Sequence, residues 1–341
     1  MSAVLVTGGA GYIGSHAVKT LVASGHDVVI YDNLSAGHRA AARAIAQGSG
    51  GDRVRLIEGD IRDRARVADA LRDSGADAVM HFAAWLSVGD SVKDPAGYYE
   101  NNVVGALSVL QAMIETGAKH LIFSSTAATF GNPIRTPITE DHPQSPINSY
   151  GDTKLAIERA LPHYERAYGL RWTALRYFNA SGADPDGVLG EDHAPEIHVI
   201  PRAIDAALGR DSFAIYGDDY DTPDGTCLRD YIHVTDLASA HVLALNALRA
   251  GAASAAYNLG NGRPISVREV VESVERVSGR TVPAGKAPRR PGDPGVLFTS
   301  SDKIKRALGW APQFEDLDVI VETAWRWREA HPHGYGEDAA A

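Results

Sequence analysis

The chain has 341 residues, 44% of them hydrophobic, with 33 Lys and Arg against 43 Asp and Glu for a formal net charge of −10. That supplies a large core for one or two domains, and the acidic balance argues against a nucleic-acid partner, which calls for a basic face. The single cysteine, Cys227, excludes an intrachain disulfide and suits a reducing compartment; with no charged leader and no apolar run near the roughly 18 residues that span a bilayer, the sequence predicts a cytoplasmic protein without membrane contact.

The first predicted element is a strand over Ala3 to Val6, which runs into Thr7-Gly8-Gly9-Ala10-Gly11-Tyr12-Ile13-Gly14 and the start of a helix. A helix N-terminus offers unpaired N–H groups and the positive end of the helix dipole, so this turn can hold a pyrophosphate. Gly8 permits the tight turn, Gly11 lets phosphate oxygens approach the backbone, and Gly14 lets the helix lie close on the strand. The second strand, Asp27 to Tyr31, ends at Asp32, eighteen residues past Gly14. A carboxylate there accepts hydrogen bonds from an adenosine ribose and repels a 2′-phosphate, which predicts NAD rather than NADP. The Gly-x-x-Gly-x-x-Gly spacing is similar to that of short-chain dehydrogenase/reductase proteins.

Further strands are predicted at Val54 to Ile57, Ala78 to Phe82, His120 to Ser124 and Trp172 to Arg176, each after a segment of helical periodicity. This alternation predicts an α/β fold, a Rossmann-type doubly wound parallel sheet. After about Ser181 the pattern loosens into stretches such as Asp218 to Gly225, then returns to strand at Tyr257 to Gly260. The expected division is a dinucleotide-binding domain over 1–180 with a return segment near 233–261, a smaller interleaved α/β C-terminal substrate domain over 181–335, and a tail over 336–341.

Ligands in such folds sit outside the carboxyl ends of the strands. Two elements fall there: Ser124-Ser125-Thr126 after the fifth strand, and Tyr150-Gly151-Asp152-Thr153-Lys154 opening a later helix. Tyr and Lys four apart on a helix share a face, about 6 Å apart along the axis. With 13 Tyr and seven Lys in the chain, chance supplies roughly 0.3 such pairs, so the pair gains meaning only beside the hydroxyl triplet and the glycine turn. A tyrosine must be shifted by roughly 3 units, about 4 kcal/mol, to act as a base at neutral pH. Lys154 and a cationic nicotinamide both favour the phenolate, and Thr126 can hydrogen-bond the substrate hydroxyl.

Over essentially its whole length the chain resembles the UDP-galactose 4-epimerase family of extended short-chain dehydrogenase/reductases. The matching stretches are VTGGAGYIGSH from Val6, YDNLS from Tyr31, EGDIRD from Glu58, HFAA from His81, YYENNV from Tyr98, Tyr150 to Lys154, LRYFNASGA from Leu175, DGTCLRDYIHVTDLA from Asp224, YNLGNG from Tyr257 and APRRPGD from Ala287. The resemblance implies reversible interconversion of UDP-galactose and UDP-glucose through a 4-keto intermediate, with NAD tightly bound. It implies Tyr150 as the base, Lys154 on the nicotinamide ribose, Asp60 and Ile61 at the adenine, Phe82 and Ala83 lining the cofactor, and Asn101 helping to hold it. Tyr12, Ile13, Asn33, Ser124 and Tyr177 join the cofactor set. On the substrate side it implies Asn179 and Arg229 at the diphosphate, Tyr216 near the uracil, Arg290 with Asp293 on phosphate and ribose, Phe178 walling the sugar, His198 and Val199 beside it, and Leu297 limiting the sugar pocket. Guanidinium groups suit a diphosphate, in line with Arg229 and Arg290. A homodimer through two long helices near Pro95 to Thr116 and Ser149 to Tyr168 is also implied. Leu86 departs from the Lys that members of the family often carry there, near the cofactor phosphates.

A nucleotide-sugar dehydratase of the same fold carries an Asp-Glu pair after the Ser/Thr, where this chain has Ala127 and Ala128. A 4-epimerase of UDP-GlcNAc, UDP-glucuronate or UDP-xylose stays open, as does a non-catalytic NAD-binding sensor. Glu191, Asp192, His193, Glu196 and His198 lack a recognised ligand spacing, so no metal is predicted. Trp310, Trp325 and Trp327 are expected to pack the second domain, and His331 and His333 to be solvated.

Overall fold

The structure is a computed structural model that describes residues 3–48, 51–290 and 294–336. Its frame is a parallel sheet of seven strands: β1 (Val4–Thr7), β2 (Val28–Asp32), β3 (Val54–Glu58), β4 (Ala78–His81), β5 (His120–Thr126), β6 (Arg171–Tyr177) and, late in the chain, β11 (Ala255–Leu259). The spatial order is β11-β6-β5-β4-β1-β2-β3, reversing direction at β1, as the alternation of strand and helix predicts. β5 runs two residues further than expected because Ser124, Ser125 and Thr126 stay paired with Leu175, Arg176 and Tyr177 of β6. The hydroxyl triplet is thus held inside the sheet edge rather than in a loop.

Alternate side chains feed two cores, as a two-residue repeat requires. Val4, Val6, Ile30, Met80 and Ile122 face the helices Tyr12–Ala23 and Val234–Arg249. Leu5, Val29, Val79, Leu121 and Phe123 face the helices Arg64–Ser74, Gly105–Thr116 and Ser149–Tyr168. The stretch Pro95–Thr116 is one continuous helical run that widens into a π-type turn at Tyr99–Val104. Such turns displace side chains from the regular helical face, and here Asn101 and Asn102 are buried.

A third core lies among the helices Val199–Ala207, Val267–Ser278 and Leu317–Ala330, around Phe213, Val270, Val274 and Ile320. Short strands accompany it: β7 (Asn179–Ser181), β8 (Phe213–Tyr216), β9 (Leu228–Arg229), β10 (Tyr231–His233), β12 (Ile265–Ser266), β13 (Ala284–Ala287) and β14 (Val296–Leu297). They form the sheets β10-β7, β12-β9-β14 and β13-β8. Of the three tryptophans expected here, Trp325 joins this core. Trp310 packs instead against the first sheet face and donates to the carbonyl of Asp236. Trp327 stacks on His331 and meets Tyr335, so His331 is engaged rather than merely solvated.

Candidate active site

The glycine turn joins β1 to the first helix, with Gly11 as its N-cap. Gly8 has φ +71°, and a Cβ there would lie 2.5 Å from the nitrogen of Ala83. That close approach seats the chain after β4, where the N–H groups of Phe82 and Ala83 both donate to the carbonyl of Thr7, at 2.9 and 3.1 Å. Gly14 is required for a different contact from the one expected. Its Cβ would fall 2.1 Å from the carbonyl oxygen of Gly8, so it packs the helix on the turn and not on the strand. A Cβ on Gly11 would touch only that same oxygen, at 3.4 Å, which leaves the helix N-terminus open to an anion. Tyr12 and Ile13 begin the helix; the Tyr12 hydroxyl donates to the carbonyl of Gly182 at 2.6 Å and so ties the turn to the chain beyond β7.

Asp32 ends β2 and is buried, with one oxygen accepting from the Ala10 N–H (3.0 Å) and the other from that of Leu34 (2.9 Å). Burial pushes this carboxyl up, and the two amides pull it down. Each oxygen keeps a further lone pair for a ribose hydroxyl. Asn33 reaches toward Asp60 across 3.4 Å. The Asp60 carboxyl is held down at about 2, chiefly by the Arg62 guanidinium, and Ile61 is buried in the second core. The open helix N-terminus, the carboxylate at the end of β2 and this second acidic wall fit a dinucleotide.

At the carboxyl end of β5 the Lys154 ammonium donates to the Ser124 carbonyl at 2.8 Å, which fixes it on the same strand end as the hydroxyl triplet. Its pKa falls to about 7 because it is desolvated, with the Glu158 carboxylate opposing that fall. Tyr150, one helical turn earlier, has its phenol beside the Thr126 side chain, whose hydroxyl oxygen accepts from the Ala128 N–H at 3.1 Å. Burial of the phenol pushes it up to about 12, and the Thr126 side chain draws it back. The Ser124 hydroxyl is engaged by the Tyr177 phenol. Asn101 donates to Asn102, whose side chain clamps both backbone groups of Trp85 and donates to the Thr153 hydroxyl on the Tyr150 helix.

Phe178 and Asn179 follow β6 directly. Asn179 donates through backbone and side chain to the carbonyl of Asp230, at 3.0 and 2.9 Å, which places it beside Arg229 in β9. β9 pairs with β14 so that Arg229 stands opposite Leu297. Tyr216 ends β8, and the Arg290 guanidinium lies 4.0 Å above its ring, a cation–π pair that presents one aromatic face and one cation together. His198 caps the helix that Val199 opens. Leu86 is exposed and puts no cation near the glycine turn. Asp293 and residues 337–341 lie outside the described residues.

Sequence reasoning did not single out the buried groups that hold these side chains in place. Glu158 receives Arg176 in a bidentate ion pair at 2.6–3.0 Å, accepts from Ser125, and takes a third contact from Gln144. The only signal was its position, one turn beyond Lys154. Asp230 accepts from the N–H groups of Asn261, Gly262 and Thr299, and burial raises it to about 6. The residue adjoining Arg229 was the hint there. Glu191, His193, Glu196 and His198, which the sequence reading did name but without a metal, each bring one ligand atom within 4.8 Å of the others.

The profile of the NAD dependent epimerase/dehydratase family matches residues 4–260. The chain is 50% identical over 337 residues to the UDP-glucose 4-epimerase of Halalkalibacterium halodurans, covering 98% of both chains. Among solved structures it superposes on the UDP-glucose 4-epimerase of Brucella ovis in complex with NAD at a TM-score of 0.90, with 52% identity over 95% of this chain and 98% of that one. The enzyme of that name from Bifidobacterium longum, in complex with NAD+ and UDP, gives a TM-score of 0.92 at 37% identity, over 98% of this chain and 100% of the other.

Proposed function

The chain belongs to the NAD dependent epimerase/dehydratase family, and from that premise we propose that it is an isomerase catalysing the reversible 4-epimerisation of UDP-galactose and UDP-glucose through a 4-keto intermediate. Gly8–Gly14, Asp32, Asp60, Phe82 and Lys154 would hold NAD, which would supply a reversible acceptor for the carbon-4 hydride. The observation that carries the reading is Lys154 anchored on the Ser124 carbonyl at the strand end that carries Thr126, with Tyr150 one helical turn before it on the same helix.

In this reading Tyr150 removes and restores the carbon-4 hydroxyl proton, Thr126 orients that hydroxyl, and Lys154 places a positive charge that favours the phenolate. Asn179, Arg229 and Arg290 hold the diphosphate, with Asp293 on the uridine ribose. Tyr216 lies near the uracil, and Phe178, His198, Val199 and Leu297 shape the sugar pocket. The UDP must be gripped and the sugar left free to turn, so the strong charge-assisted contacts belong to the diphosphate. Residues 1–180 with the return segment 233–261 bind the dinucleotide and 181–335 the UDP-sugar. The protein works in the cytoplasm as a homodimer, a pairing supported by the exposure of Tyr99 and Val104 on the helical run Pro95–Thr116.

The test is to incubate the purified protein with UDP-galactose and no added NAD, then separate the nucleotide sugars. Formation of UDP-glucose is the expected result. Absence of product, with NAD supplied as well, overturns the UDP-hexose reading and directs the assay to UDP-glucuronate and UDP-xylose.

A further inference from the structure

The loop between β7 and the helix Val199–Ala207 gathers four side chains, among them the His198 assigned above to the wall of the sugar pocket. Glu191, His193, Glu196 and His198 each offer one ligand atom within 4.8 Å of the other three. Individual separations are 2.8 Å for His198–Glu191, 3.3 Å for His193–Glu191 and 3.6 Å for His193–Glu196. A tetrahedron with zinc–nitrogen and zinc–oxygen arms of about 2.05 Å has edges of about 3.3 Å. These three separations bracket that value, and the remaining pairs lie within 4.8 Å.

The carboxylates are deeply buried, with the Glu191 and Glu196 side chains 7% and 9% exposed. Glu191 Oε1, Glu196 Oε2 and His193 Nδ1 are each screened from solvent and make no hydrogen bond. His198 Nδ1 lies 2.8 Å from Glu191 Oε1 and is hydrogen-bonded to Glu196 Oε1 at 2.9 Å, and the Arg328 guanidinium stands 3.9 Å from Glu196 Oε2; three buried atoms left without a hydrogen bond still carry a desolvation cost. Protonated histidines answer this only in part. A proton on His193 Nδ1 points along one direction, yet that nitrogen stands between two oxygens and is hydrogen-bonded to neither. A cation at the centre serves all four groups at once.

The surroundings fit a built site. The other oxygen of Glu196 is fixed by the N–H groups of Ile197 and His198, at 2.8 and 2.9 Å, which orients Oε2 inward. Arg328, engaged with Asp205, donates to the Glu191 carbonyl at 3.1 Å. Asp192 is turned away, its carboxylate accepting from the Tyr335 N–H at 2.8 Å. Two carboxylates and two neutral imidazoles balance a divalent cation, and Arg328 with Asp205 adds no net charge.

We infer that Glu191, His193, Glu196 and His198 form a closed, structural site for a divalent transition cation, zinc by ligand type. Four protein ligands with no open position mark structure rather than catalysis. The ion would brace the loop against the glycine turn, because the His193 ring meets the Tyr12 ring edge-on at 6.2 Å. It would also pin the start of the helix that carries Val199. The inference does not depend on the proposed epimerase activity.

Untagged full-length protein, purified without added metal, is expected to contain about one zinc per chain by mass spectrometry of the metals. After chelator treatment it should take up about one Co2+ with the intense visible absorption of four-coordinate cobalt, and zinc should raise its Tm. His193→Ala and Glu196→Gln should each weaken zinc binding by at least about 100-fold, whereas Asp192→Asn should retain it. If a ligand variant does not fold, stripping and reloading the wild-type chain remains decisive. Wild-type protein that holds no stoichiometric zinc as isolated and, when titrated, shows neither a four-coordinate cobalt spectrum nor a Tm response to zinc would overturn the site.

Discussion

Tyr150 starts further from a useful base than its residue type suggests. Burial places it at about 12 rather than the ordinary 10, so ionisation at pH 7 must be favoured by roughly 5 units, about 7 kcal/mol. That makes the charge of Lys154 decisive, yet its own pKa is drawn down to about 7 by the same burial. Tyr150→Phe should therefore cut kcat by about 10²- to 10⁴-fold while leaving the thermal unfolding curve and NAD content unchanged; a smaller loss would move the base elsewhere. Lys154→Met should lower kcat and move the acid limb of its pH profile upward by about a unit or more, since the phenolate loses a neighbouring positive charge. A pH profile recorded between 6 and 9 decides this, and an unshifted acid limb would rule out the electrostatic role.

Two elements set these residues in place, and each can be tested apart from the chemistry. In the glycine turn, Ala at Gly11 meets protein only at 3.4 Å, whereas Ala at Gly14 strikes the Gly8 carbonyl at 2.1 Å. Gly11→Ala should leave the Tm of cofactor-stripped protein nearly unchanged while lowering retained NAD, measured by chromatography of the denatured extract. Gly14→Ala should lower both. Equal Tm losses for the two variants would contradict the assigned contacts. Glu158, on the helix Ser149–Tyr168 one turn past Lys154, and Arg176, on β6, are a buried pair. Glu158→Gln leaves Arg176 uncompensated and should cost about 3–5 kcal/mol by urea unfolding. It also removes the carboxylate that supports the Lys154 charge, so the surviving activity should require lower pH to keep the lysine protonated.

Across the whole molecule, His16, His81, His233 and His241 are buried, and desolvation lowers them to about 4, 3, 3 and 4. Their folded pKa values lie below the unfolded value of about 6.5. Between those limits the unfolded chain binds more protons, so stability rises with pH and is lost as pH falls from 6.5 toward 4. At pH 5 each such histidine withdraws about 2 kcal/mol. The urea midpoint should drop between pH 7 and 5, and His241→Gln should flatten that drop; a wild-type midpoint that did not move would show the histidines protonating freely in the fold. For the proposed dimer, Val104→Glu should shift the mass seen by light scattering from two chains to one, and a wild-type mass of one chain would overturn the pairing.

The sheet, the glycine turn and the Tyr150–Lys154 pair were legible in the sequence because each rests on local spacing: a helix repeat, a strand alternation, a turn that only glycine allows. Asp32 and the hydroxyl triplet were legible for the same reason, since parallel strands place their carboxyl ends at one edge. What adjoins what across the chain was not. Trp310 left the group assigned to it because the chain after the helix Asp302–Leu308 returns to the first sheet face. Gly14 proved to pack on Gly8, a contact invisible until the turn closes. Glu158 meets Arg176 through a crossing of helix and strand, and the Glu191–His198 group converges because the loop folds back on itself, bringing four ligand atoms to one point without a regular spacing. Sequence determines what each segment can form alone, through backbone geometry and apolar periodicity. Only tertiary structure decides which buried polar groups meet, because that depends on packing between segments far apart in the chain.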